Sequence, residues 1–170
     1  SGLQCWVALP EHMTELEPAF VQVKKQDLPH YTHEGVMMRL IVGEAYGLSS
    51  PVKSYSPMFY LDIAASKDSK ISKPHPKQET AVFPICGQVK INGTTYGPGE
   101  FILLDESDND ITMVDDGRFI MLGGDKFEQV PYLHWNFVAY SKERIEQAKA
   151  DWKNGKFPTI AGDDKEFIPL

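Results

Sequence analysis

Short runs of β-forming residues, separated by turn signals, dominate this sequence. Three of the runs are Val36 to Val42, Met58 to Ile63 and Ala81 to Ile85, and shorter ones follow. Asn92-Gly93 lies between two such runs, and this dipeptide is a strong hairpin signal because both positions tolerate a positive φ. Many short strands at close spacing are typical of a sandwich or a barrel. We therefore predict an all-β fold.

Only one convincing helix is predicted, near residues 141–154. Ser141 can cap its start and Gly155 fits its end. Apolar residues at three- and four-residue steps form its stripe: Ile145, Ala148 and Trp152. The tail from Phe157 to Leu170 has no helical period and is predicted to be irregular.

Length and composition indicate a single domain over residues 1–170. A chain of 170 residues with 42% hydrophobic residues can bury a sizeable core. The segment Lys67 to Pro76 is interpreted as a long loop, because strand-like sequence lies on both sides of it. The residues expected to fill the core, or to line a pocket for a small planar molecule, are Met37, Met38, Met58, Phe59, Tyr60 and Phe83.

Charge and hydropathy exclude several classes of function. The net charge of -7 disfavours direct binding to nucleic acid, because phosphate backbones would repel the chain. We find no apolar run long enough to span a bilayer and no basic leader before a hydrophobic segment, so we predict no membrane partner and a cytoplasmic location. In that compartment we expect Cys5 and Cys86 to be reduced, buried thiols.

The region from Lys73 to Leu104 has the layout of a metal-binding hairpin region that has lost most of its ligands. Its first stretch keeps one histidine, His75, and Lys77 stands where a second histidine would be. In its second stretch, Ile102 occupies the approximate place of a last histidine. Zinc and iron need imidazole nitrogens or carboxylates at these positions. We therefore predict a barrel without a metal.

His75 and Glu79 remain as weak candidates for metal binding. They could hold a cation only with a third donor such as His33 or His134, and the sequence does not imply that either lies nearby. His30 and His33 are three residues apart, but the neighbouring proline and glycine favour a solvated loop over a metal site. No catalytic residue and no cofactor-binding residue is predicted.

Four motifs along the chain are distinctive. They are Gly2 to Pro10 (GLQCWVALP), Val36 to Glu44 (VMMRLIVGE), Ser56 to Asp62 (SPMFYLD) and Trp135 to Ala148 (WNFVAYSKERIEQA). Together they resemble the carboxy-terminal half of pirin-family proteins, and the similarity covers nearly the whole chain. The resemblance implies a cupin-type β-barrel, or jelly roll, with one C-terminal α-helix.

The resemblance also implies a two-domain protein. In such a protein the amino-terminal cupin binds iron or another divalent metal through three histidines and a glutamate, and no such ligand can be assigned to a position of this chain. Pirin-family proteins are associated with quercetin dioxygenation, with transcriptional co-regulation and with binding to metabolic enzymes. The chain does not begin with Met, so we expect it to be a piece of a longer polypeptide.

Three hypotheses follow for function. We favour a non-catalytic, metal-free carboxy-terminal cupin domain that stabilises or regulates an adjacent metal-binding cupin, its missing N-terminal partner. The first alternative is part of a quercetin 2,3-dioxygenase-type enzyme whose metal lies in that missing domain. The second is a protein-interaction module that binds another protein or a second copy of itself. In each case we expect no enzymatic activity and no cofactor for this chain alone.

Overall fold

The computed structural model describes residues 2–107, 110–162, 165–166 and 168–170. These residues form thirteen strands and one α-helix, besides two short 3₁₀ turns at Glu11–Met13 and Lys25–Asp27. The strands are β1 (His30–His33), β2 (Val36–Ala45), β3 (Leu48–Ser49), β4 (Met58–Ala65), β5 (Lys70–Ser72), β6 (Glu79–Cys86), β7 (Val89–Ile91), β8 (Thr94–Tyr96), β9 (Ile102–Leu104), β10 (Asp110–Met113), β11 (Gly117–Gly124), β12 (Tyr132–His134) and β13 (Phe137–Ala139). The helix is α1 (Lys142–Lys153).

The chain divides into two compact units. The sheet unit is Glu17–Lys126, and the terminal unit combines Ser1–Leu16 with Phe127–Leu170. The sheet unit holds β1 to β11, whereas the terminal unit holds the β12–β13 hairpin and α1. The single domain over residues 1–170 stays a prediction.

Two antiparallel sheets make up the sheet unit. The larger sheet has the strand order β1-β2-β4-β11-β6-β9, with β3 paired to β2, and the smaller has the order β5-β10-β7-β8. One hydrophobic core takes side chains from both sheets: Leu40, Leu61 and Phe119 from the larger, and Ile71 and Ile111 from the smaller. Two sheets that share one core form the predicted jelly roll, so the all-β fold class with a single helix is confirmed.

Strand alternation decides which of the expected core residues are buried. Met38 and Phe59 lie in the core, and Phe59 has no exposed surface. Met37 points the other way and is 36% exposed, because successive side chains of a strand face opposite sides of the sheet. Phe83 pairs with Ile120 and shares the outer face of the larger sheet. The prediction that all six residues fill the core was therefore only partly right.

Two predicted loops contain strands instead. β5 lies inside the segment interpreted as a long loop, and only Ile71 of its three residues is buried. A strand with one apolar residue shows no alternation of apolar and polar positions, so no strand was predicted here. His30–His33 is likewise an edge strand rather than a loop, with all four residues exposed and paired to β2 through the backbone.

Local signals at the hairpin and the helix were read correctly. Asn92 and Gly93 have φ values of 47° and 82° and connect β7 to β8. At the helix, the Ser141 hydroxyl accepts a hydrogen bond from the Arg144 backbone N–H at 3.1 Å, and Gly155 follows with a positive φ. Both are the expected turn and cap conformations.

Two further observations concern the cysteines and membrane spans. Cys5 and Cys86 form no disulfide, but both are exposed, so the expectation that they are buried was wrong. Cys86 is the last residue of β6, where the strand leaves the core. Within the described ranges, no helix is long and apolar enough to cross a membrane.

Candidate functional site

His75, the one histidine kept in the hairpin region, is held by a backbone group. Its ring lies beside Phe59, with the ring centroids 5.9 Å apart. Its Nε2 atom lies 2.9 Å from the Glu44 carbonyl oxygen. A carbonyl oxygen can only accept, so Nε2 carries a proton and donates it. That nitrogen is therefore not available as a metal ligand.

The other positions of the predicted metal region place no ligand in the interior. Glu79 and Lys77 are exposed. Glu79 opens β6 opposite Gly124, at the end of the strand rather than in the interior. Ile102, at the approximate place of the last histidine, is 8% exposed and belongs to the hydrophobic core. The side chain that replaces a ligand here contributes to packing.

A transition metal does not fit this set of residues. Among the side chains that the structure describes, no group of three or more His, Cys, Asp or Glu could hold a metal ion. Neither His33 nor His134 therefore completes a site with His75 and Glu79. That the chain binds no metal in solution stays a prediction.

An ion cluster on the outer face of the larger sheet was missed by the sequence analysis. Asp62, 7% exposed, accepts two hydrogen bonds from Arg118, at 2.6 Å from Nε and 2.7 Å from the second guanidinium nitrogen. Arg39 lies 3.5 Å from the same carboxylate. The hydrogen bonds to Asp62 raise the pKa of Arg118. Two cations on one buried carboxylate fix β2, β4 and β11 side by side.

One sequence signal could have found this cluster. Asp62 is the only charged residue in the apolar strand Met58–Ala65, and a carboxylate inside such a strand requires a cationic partner when it is buried. Arg118 is likewise the one charged residue of β11, whereas β2 carries Arg39 and also Glu44 near its end. Cross-strand pairing, which a single sequence does not reveal, brings the three together.

A tyrosine ties the two sheets of the sheet unit to each other. The Tyr46 hydroxyl, just after β2, donates a hydrogen bond to the Ser72 carbonyl oxygen at the end of β5. Burial raises the pKa of the Tyr46 phenol. The phenol therefore stays protonated and serves as a fixed donor rather than as a base.

The terminal unit is held by an ion pair, a hydrogen bond and aromatic contacts. Arg144 of α1 donates two hydrogen bonds to the Glu15 carboxylate, at 2.7 and 3.2 Å, and lowers its pKa. The Tyr140 hydroxyl donates to the Leu9 carbonyl oxygen at 2.9 Å. Aromatic rings connect the hairpin to the helix and to the chain beyond it: Trp135, Phe137, Trp152 and Phe157. These contacts join α1 to the hairpin and to the N-terminal segment of the unit.

Comparison with known proteins identifies the family. The sequence pattern of the Pirin C-terminal cupin domain matches residues 60–158. The chain belongs to the pirin family. The resemblance read from the four motifs is thereby confirmed. The match begins in β4 and ends beyond α1, so this pirin domain takes in strands of the sheet unit together with the hairpin and helix of the terminal unit.

Relatives of this pirin domain are longer than the chain itself. A pirin-like protein of Caulobacter vibrioides is 36% identical over 178 residues, which cover 99% of this chain and 59% of the relative. A putative quercetin 2,3-dioxygenase of Pseudomonas aeruginosa is 30% identical, over 89% of this chain and 49% of the relative. The chain thus spans roughly half the length of the curated relatives it matches.

A solved structure has the same fold over nearly the whole chain. The crystal structure of quercetin 2,3-dioxygenase from Acinetobacter baumannii superimposes with a TM-score of 0.85 at 27% sequence identity. The alignment covers 97% of this chain and 56% of that one. The cupin jelly roll of this pirin domain is therefore shared with a longer protein.

Proposed function

We propose that this chain is a metal-free cupin half that stabilises or regulates an adjoining cupin domain, and that the adjoining domain carries iron or another divalent metal. One observation carries the proposal. Ile102 lies in the hydrophobic core where a last ligand would be, while the His75 Nε2 donates to a backbone carbonyl. The hairpin region Lys73 to Leu104 contributes to core packing through Ile102, so we assign it a structural role.

Exposed apolar side chains on the terminal unit support the existence of a docking partner. Large exposed hydrophobic residues recur along both of its segments: Leu3, Trp6, Val7, Leu16, Val130, Leu133, Trp135, Phe157, Ile160 and Ile168. Exposed apolar surface of this extent is typical of interaction sites. The relatives, of which this chain covers 49% and 59%, have length for a further domain.

Metal analysis of the purified chain tests the first half of the proposal. After dialysis against Fe²⁺ or Zn²⁺ and then buffer, we expect far less than one ion per chain by plasma mass spectrometry. His75→Ala should leave that small amount unchanged. Stoichiometric metal that His75→Ala removes would show a working site and would overturn the proposal.

Association in trans tests the second half. The probe is the part of the Caulobacter vibrioides pirin-like protein that lies outside the matched 59% of its length. We expect the two to form a complex on size exclusion and the probe to lose its bound metal more slowly in a chelator when the chain is present. The absence of a complex at tens of micromolar, with both proteins folded, contradicts the proposal.

A second candidate is a contribution to quercetin dioxygenation. It is favoured by the names of two similar proteins, a putative quercetin 2,3-dioxygenase and a quercetin 2,3-dioxygenase of known structure. In an oxygen electrode with quercetin and Fe²⁺, we expect no turnover by the chain alone and turnover only with the metal-bearing partner. Robust turnover by the chain alone would place the chemistry here and contradict the metal-free assignment.

A further inference from the structure

The two edges of the larger sheet differ in chemistry. At one edge, β1 carries His30, Tyr31, Thr32 and His33, all exposed. At the other edge, β9 and the residue before it expose two large apolar side chains, Phe101 at 65% and Leu103 at 68%. Phe101 and Leu103 are two residues apart, so their side chains lie on the same side of the strand.

The β9 edge is fixed by the core rather than frayed. Ile102 and Leu104, which alternate with the exposed pair, are each 8% exposed and belong to the hydrophobic core. The strand pairs with β6 in unbroken register, from Thr80 opposite Leu104 to Val82 opposite Ile102. One side of the strand is therefore anchored, and its other backbone edge has no neighbouring strand among the described residues.

Exposed edges of natural sheets are protected by short strand length, lysine, proline or a bulge, because unpaired backbone groups bind other strands. Of these protections β9 has its short length of three residues. The run Phe101 to Leu104 contains neither lysine nor proline. Acidic residues flank it instead, Glu100 before the strand and Asp105 and Glu106 after it. The buried Lys73 ammonium donates to the backbone carbonyls of Asp105 and Glu106, at 3.0 and 3.4 Å, and so fixes the chain where it leaves β9.

We propose that β9 is a docking edge for an extended segment of a partner protein, in which apolar side chains alternate between flanking lysines or arginines. The segment adds to the sheet through backbone hydrogen bonds, and its apolar side chains cover Phe101 and Leu103. Its basic flanks meet acidic residues on both sides of the strand, Glu100, whose carboxylate also accepts a hydrogen bond from the Gly97 N–H, and Glu106. This inference does not depend on the proposed function.

Charge argues against a second copy of the chain as the occupant. Antiparallel pairing of two β9 strands would bring the acidic flanks of both chains together, on a protein whose net charge is -7. Like charges directly opposed across strands are destabilising. A basic segment turns the same charges into attraction and makes binding dependent on salt.

Fluorescence anisotropy with synthetic peptides tests the docking edge. The probe is a labelled peptide of about nine residues, long enough for one strand, in which Val and Thr alternate between two lysine pairs. We expect binding in the micromolar range that weakens several-fold as salt rises. The same peptide with glutamate in place of lysine, or with proline at its centre, should not bind, because the first loses the charge match and the second a backbone donor.

Matched variants of the chain locate the binding edge. Leu103→Lys should weaken binding about tenfold, whereas Leu133→Lys, on the equally exposed leucine of β12 at 69%, should leave it unchanged. Glu106→Lys should weaken it to a smaller extent, and thermal melts confirm that all three variants fold. Failure of the lysine-flanked peptide to bind overturns the proposal, as does equal loss in both leucine variants. Dimerisation that Leu103→Lys abolishes would assign the edge to a second copy and overturn it too.

Discussion

The sheet unit and the terminal unit differ in how they use their hydrophobic residues. The sheet unit places large side chains from two sheets in one core, and Phe59, Leu61 and Phe119 have no exposed surface. In the described part of the terminal unit, only three hydrophobic residues are buried, and two of them are alanines: Ala139, Ile145 and Ala148. Most of its large apolar side chains are exposed.

The two units are therefore stabilised by different interactions. Burial of large apolar side chains contributes about 2–3 kcal/mol each, so the sheet unit has its own source of stability. The terminal unit relies on polar contacts between its two segments, such as Arg144 with Glu15, and on aromatic contacts such as Trp135 with Trp152. We therefore expect it to open at a lower free energy than the sheet unit.

Core truncation gives the largest expected effect. Phe119→Ala should destabilise the sheet unit by about 4 kcal/mol, because it leaves a cavity between two sheets. Phe157→Ala, on a ring that is 40% exposed in the terminal unit, should cost about 1 kcal/mol. Urea unfolding followed by circular dichroism measures both. Equal losses would remove the distinction between the two units.

The ion cluster gives the next effect. Asp62→Ala should cost about 3 kcal/mol, because it leaves the Arg39 guanidinium, 15% exposed, without its carboxylate. The corresponding exposed pair in the terminal unit is Glu15 with Arg144, and Glu15→Ala should cost less than about 1 kcal/mol. Double-mutant cycles on each pair, followed by denaturant unfolding, measure the coupling free energy of the two pairs. A larger coupling for the exposed pair would contradict this ranking.

Two glycines with positive φ give a smaller, local test. A Cβ on Gly43 of β2 would lie 1.7 Å from the Met58 carbonyl oxygen, whereas a Cβ on Gly155 after α1 would meet nothing within 4 Å. Gly43→Ala should therefore cost about 2 kcal/mol or more, and Gly155→Ala only the cost of left-handed backbone, about 1 kcal/mol. Thermal melts of both variants test this. Similar losses would show that the β2–β4 approach relaxes easily.

Acid gives the smallest effect, confined to the terminal unit. Hydrogen bonds from Arg144 lower the pKa of Glu15 from its ordinary value of 4.5. A lowered folded pKa contributes stability that is fully present above the unfolded pKa and is lost as pH falls through the folded one. Protection factors against hydrogen exchange at residues 10–16, corrected for the intrinsic pH dependence of exchange, should therefore fall below about pH 4.5. Glu15→Gln should remove this dependence, whereas Glu143→Gln, next to Arg144 on α1, should keep it.

The sequence predicted the elements whose signals are local. The Asn92-Gly93 hairpin needs only residues that tolerate positive φ, and the start of α1 needs only a capping Ser141. β1 and β5 were missed because their place in the fold depends on pairing with distant strands rather than on their own alternation. The division between units also follows from long-range packing, which no local pattern encodes.

The sequence predicted which residue types occupy the candidate site, but not which of them are in contact. Lys77 and Ile102 in place of ligands indicated a region without a complete metal site, and the structure finds Ile102 in the core. The contact between His75 and Glu44 was invisible, because residues 31 positions apart meet only in the folded chain. The same reason hid the Arg39–Asp62–Arg118 cluster.

The hydrogen bond of His75 limits how a metal centre could be engineered into this domain. Replacing Ile102 with histidine would add a second imidazole, but His75 would offer only its Nδ1 atom, because its Nε2 donates to the Glu44 oxygen. That oxygen belongs to the peptide bond, so no side-chain exchange at position 44 deletes it. A designer would therefore have to place the metal on the Nδ1 side of the His75 ring, or move the backbone at the end of β2.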